Sequence, residues 1–84
     1  MQGLYAVQVV AQPLIGTALV LVAKHDQQGP GLWRFPLARH LWQALGDRAG
    51  EYVATQYTMT HPTEIPQLRP GSLGAAIQAS LRTA

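Results

Sequence analysis

Few residues in this chain could do chemistry, and they are scattered. Three histidines, four acids and no cysteine are what 84 residues supply for metal binding or acid–base work. His25 and Asp26 are adjacent, and adjacent residues on an extended chain point opposite ways. His61 and Glu64 stand three apart, a spacing that aligns two ligands on a helix, but Pro62 and Pro66 argue against a helix there. No pair has the spacing of a zinc site, so the histidines read as loop residues facing water. Ser72 fits a helix cap and Ser80 lies on a helix near the end of the chain, so neither sits in a nucleophile elbow. "GPG" at 29–31 lacks the Lys-Ser/Thr that completes a phosphate-binding loop. The expectation is a non-enzymatic protein with no metal and no cofactor.

One stretch, "GPGLWRFPLARHLWQAL" at 29–45, gathers both tryptophans, the phenylalanine, two arginines and a histidine. In an extended segment Trp33 and Phe35 share one face and Arg34 takes the other. The two aromatics then close the core, with Trp42 packing from a helix. In a sharper reading, Arg34, Arg39 and the free N–H groups of the helix start hold a phosphate or carboxylate.

The strand "ALVLVA" followed by a loop and "GLWRFP" resembles the segment before the catalytic helix of Nudix hydrolases, over residues 18–36. That family goes on to a glycine pair and a glutamate-rich, metal-holding helix. Here Leu37-Ala38-Arg39-His40 follow Pro36, and the next acid is Asp47. The departure removes the metal ligands and, with them, the chemistry that the resemblance implies.

These residues need elements to position them. Leu4–Ala11 alternates as a strand, with Tyr5, Val7, Val9 and Ala11 on one face and Leu4, Ala6, Gln8 and Val10 on the other. "TALVLVAK", 17–24, is apolar on both faces and reads as the central strand, joined to the first by a short antiparallel connection. "HDQQGPG", 25–31, reads as a polar loop, and Pro36 fits the first position of a helix carrying Leu37, Leu41 and Leu45. Gly46 or Gly50 ends that helix. "EYVATQYTMT", 51–60, is rich in β-branched and aromatic residues and reads as a third strand. Three prolines make "HPTEIPQLRP" an extended connector, and Leu73, Ala76, Ile77 and Leu81 form the stripe of a last helix capped by Ser72. The expected fold is α+β, a two-layer β-β-α-β-α with a three-stranded, mainly antiparallel sheet covered by two helices, in a single domain over 1–84.

Composition bears on what such a domain does. A 9.1 kDa chain folds to a surface of about 4,900 Å² if compact. With 48% hydrophobic and only 12% charged residues, about half the usual charged share, it has trouble covering its core. Apolar surface buried between copies follows as an inference. The apolar run Leu14–Ala23 is too short for a membrane span, and residues 1–12 carry no charge to start a signal peptide, so a cytoplasmic protein is expected. The expected function is a small binding or adaptor protein acting through protein–protein contacts as a homodimer. The expected contact residues are Trp33, Arg34, Phe35 and Arg39, with Ile65 and Leu68 on the connector. The alternative is a nucleic-acid-binding module. It would use Lys24, His25, Arg34 and Arg39 at one end of the sheet, with Trp33 and Tyr57 stacking on bases.

Overall fold

The computed structural model of the chain describes residues 4–12, 15–26, 29–62 and 70–84. Three strands come first: β1 (Leu4–Gln12), β2 (Thr17–Asp26) and β3 (Gly29–Ala38). They form one antiparallel sheet in the order β1-β2-β3. A helical run follows: α1 (Arg39–Leu45), a single 3-10 turn (Gly46–Arg48), and α2 (Ala49–Thr60). The last helix is α3 (Pro70–Thr83). The two-layer α+β architecture and the central place of β2 are as the sequence predicts. The element order is not. It is β-β-β followed by helices, rather than β-β-α-β-α.

Two local readings produced that difference. The first is 29–38. Gly29–Gly31 belongs to a strand rather than a loop, and Pro36 lies in that strand, paired across to Leu19. Proline is tolerated here because β3 is an edge strand, where a missing N–H can face outward without losing a ladder bond. The helix starts only at Arg39. Its backbone N–H donates to the Gly16 carbonyl at 2.8 Å, tying the helix start to the β1–β2 connection. Gly46, at φ 55, ends α1 as expected.

The second is 51–60, which is helical. Its β-branched content suggests a strand, but Ala49, Val53, Ala54 and Tyr57 recur at helical spacing and all four are buried. The threonines do not compete with the helix. Thr55 and Thr58 donate their hydroxyls to the carbonyls four residues back, Glu51 at 2.9 Å and Ala54 at 3.1 Å. Burial of one stripe outweighs weak strand propensity. Gly50 does not end a helix. It is where α2 meets α3: a Cβ there would run into the Gly74 carbonyl and stand 2.7 Å from Gln78 Cβ. Gln78 Oε1 accepts the Gly50 N–H at 2.8 Å, satisfying a donor of the first helical turn.

The core lies between the sheet and the helices. Val20, Val22, Leu37, Val53, Tyr57, Leu73, Ile77 and Leu81 are all buried in it. The α3 stripe predicted from sequence supplies three of them, and α3 packs on α2 and β1. Ser72 sits inside the first turn of α3 rather than capping it. Among the described residues, no helix is long and apolar enough to cross a membrane.

Candidate contact surface on the open face of the sheet

Strand alternation and register sort the side chains onto two faces. One face carries the cross-strand rows Val7–Val22–Trp33, Val9–Val20–Phe35 and Ala11–Ala18–Leu37. These rows point at the helices, since Ala18, Val20, Val22 and Leu37 are buried and Val7, Val9, Trp33 and Phe35 pack against the core. The other face carries Ala6–Ala23–Leu32, Gln8–Leu21–Arg34, Val10–Leu19–Pro36 and Gln12–Thr17–Ala38. No described helix covers it: Val10 is 38% and Leu32 49% exposed.

The chemistry of this open face is unusual for a solvated one. An antiparallel sheet with one wet face normally alternates apolar inward and polar outward. Here Leu19, Leu21, Ala23, Val10, Leu32 and Pro36 face outward, with Arg34 the one charge among the described side chains of the face.

The predicted contact residues are divided by this geometry. Arg34 is exposed in the middle row of the open face. Trp33 and Phe35 lie on the covered face, as the alternation predicts. The Trp33 ring stacks on Phe35 at 5.2 Å and meets Tyr57 edge-on at 5.2 Å, and Phe35 meets Tyr52 at 6.3 Å. Arg39 is exposed at the start of α1, its guanidinium 5.9 Å from the Trp42 ring centre. Ile65, Leu68 and Glu64 lie outside the described residues.

The residues of the nucleic-acid alternative are not gathered at one end. Lys24 is on the covered face near the β2–β3 connection, its stem lying over Gly31. Arg39 follows the far end of β3, and Arg34 takes the opposite face from Lys24. Tyr57 is only 2% exposed, and its ring is stacked by His61 at 4.1 Å. His61 Nδ1 lies 2.8 Å from the Tyr57 carbonyl, an acceptor only, so the proton is assigned to Nδ1 from its partner. Thr60 Oγ1 is 2.8 Å from the same nitrogen.

A concavity of about 510 Å³ lies between α2 and α3, lined by Asp47, Glu51, Thr55, Thr58, Met59 and Ala75 among others. Its threonine hydroxyls already donate to their own helix, and Asp47 faces Arg82 at 3.6 Å. Among the described residues no three His, Cys, Asp or Glu side chains gather as a metal site would require.

Sequence reasoning allows pairing through a sheet edge or face to face, but it does not assemble the residues of the open face, although the signal was present. "TALVLVAK" is apolar on both faces, yet two helices on one side of a sheet can cover only one of them. No family model matches this chain, and neither a curated protein nor a solved structure matches it.

Proposed function

We propose that this chain is a small protein-contact module whose working surface is the open face of its sheet, and that a second copy of the chain occupies that face. One observation carries the reading: on the face that the described helices leave uncovered, Val10 and Leu32 are exposed and Leu19 and Leu21 half-buried, with Arg34 the one cation among the described side chains there. A patch of that composition gains by leaving water. The small share of charged residues in the chain supports the same reading. The flat footprint of three strands, roughly 14 by 30 Å or about 400 Å², is about half a standard interface per partner. The pair is therefore a concentration-dependent dimer rather than an obligate one.

The test is the solution mass of the wild type against Leu21→Glu. Leu21 sits in the middle strand and middle row, so if the faces pair a carboxylate there meets the partner's carboxylate in a water-poor contact, with the cross-strand Arg34 offsetting only part of the cost. The reading expects a dimer for the wild type and a folded monomer for the variant. A variant that still pairs places the contact elsewhere.

A further inference from the structure

We propose that two copies pack face to face with their two-fold axis running along β2, close to Leu21, so that the strands of both sheets run in the same sense. This rests on the reading that a second copy covers the open face.

Sheets that pack in the aligned class keep their strand directions within about 30° of one another. A two-fold relation between two such faces has two aligned solutions. In one, the axis crosses the strands and the partner's strands run in the opposite sense. With full overlap this sets Arg34 against the partner's Arg34. Two guanidinium groups then meet at the same rim of the contact, a like-charge juxtaposition that the described part of the face offers no acid to relieve. In the other, the axis runs along the strands. This operation returns each cross-strand row to itself in reverse order.

The rows suit that reversal. Gln8–Leu21–Arg34 meets its own inverse, with Leu21 on the partner's Leu21 and Arg34 opposite the partner's Gln8. The amide oxygen of Gln8 accepts from a guanidinium, which has donors only. Arg34 stands on an edge strand, so its head also reaches the water at the rim. The row Ala6–Ala23–Leu32 is small-small-large, and reversal sets Leu32 over the partner's Ala6. Large against small is how packed layers interdigitate. A rotation of about 30° between the sheets shifts these outer rows by roughly 3 Å, less than one strand spacing.

Two measurements decide the orientation. Gln8→Glu sets a carboxylate opposite the partner's Arg34 in the proposed arrangement, and opposite another carboxylate in the reversed one. We expect a few-fold to tenfold tighter dimer at low salt. A weaker dimer would overturn the orientation. The second is a spin-label distance from Ile15→Cys, at the exposed β1–β2 connection of a chain with no native cysteine. Ile15 lies about 20 Å along the strand direction from Leu21. Strands of the same sense place the two labels within about 25 Å, and the reversed sense sets them about 40 Å apart. A distance beyond about 30 Å, in a pair that Leu21→Glu still dissociates, overturns the orientation and leaves the contact surface standing. A sample with no pair distance, together with a monomeric wild type, overturns the contact surface itself.

Discussion

Arg34 stands directly across from Leu21, on the sheet face that the described helices leave uncovered. Its sequence neighbours Trp33 and Phe35 point the other way, into the aromatic cluster around Tyr57 and Tyr52. The charge and the aromatics of "LWRF" therefore serve different surfaces. This separation ranks the effects of substitution. Leu21→Glu is expected to weaken self-association at least tenfold, because it sets two carboxylates against one another at the centre of the contact and Arg34 across the strand compensates each only in part. Arg34→Glu keeps a rim position and a group that accepts from the partner's Gln8, so its effect is several-fold at most. Sedimentation equilibrium on the two variants checks the order.

Arg39 separates the open face from the helix start. It lies over Trp42, outside the four cross-strand rows. Arg39→Glu is expected to leave the dimer constant unchanged within about twofold, as for a residue outside the contact. A large loss in this variant would mean that the contact includes the start of α1.

Salt distinguishes an apolar contact from a phosphate-binding one. Burial of Leu19, Leu21 and Leu32 gains slightly as salts salt out apolar surface. Raising salt to about 0.5 M, where charges are screened beyond a few ångströms, should leave self-association unchanged or slightly tighter. Binding to nucleic acid through Arg34 and Arg39 would instead fall steeply, by release of counterions. A titration of labelled single-stranded DNA alongside the mass measurement reads both.

Two glycines predict opposite stability changes. Gly50 lies where α2 and α3 touch, and a methyl group there collides with the Gly74 carbonyl and Gln78. Gly50→Ala is expected to destabilise by about 1–3 kcal/mol, the range for overpacking. Gly71 lies in the first turn of α3 with nothing within 4 Å of an added Cβ. Gly71→Ala should stabilise by about 0.5–1 kcal/mol, through helix propensity. Urea unfolding at a fixed protein concentration measures both.

Much of this fold can be read in the chain. The β1–β2 hairpin follows from alternation and a short connection, and the apolar character of both faces of β2 gives its central place. The α3 stripe follows from Leu73, Ile77 and Leu81 at helical spacing. Two segments misled for physical reasons. Pro36 fits a first helical position as well as it fits an edge strand, and only the pairing with Leu19 decides between them. Val53, Thr55 and Tyr57 favour a strand by type, but a helix buries Val53 and Tyr57 while Thr55 bonds back to its own turn. The proposed contact surface was legible only in part, because Leu19, Leu21 and Arg34 become one patch only once the third strand is placed beside the second.

The most direct test of the central claim is the mass of the wild-type chain by light scattering, across dilution from millimolar to micromolar. A species near twice 9.1 kDa that falls to the monomer mass on dilution is expected. A chain that stays at 9.1 kDa at every concentration contradicts the claim, since the open face would then stand bare in water.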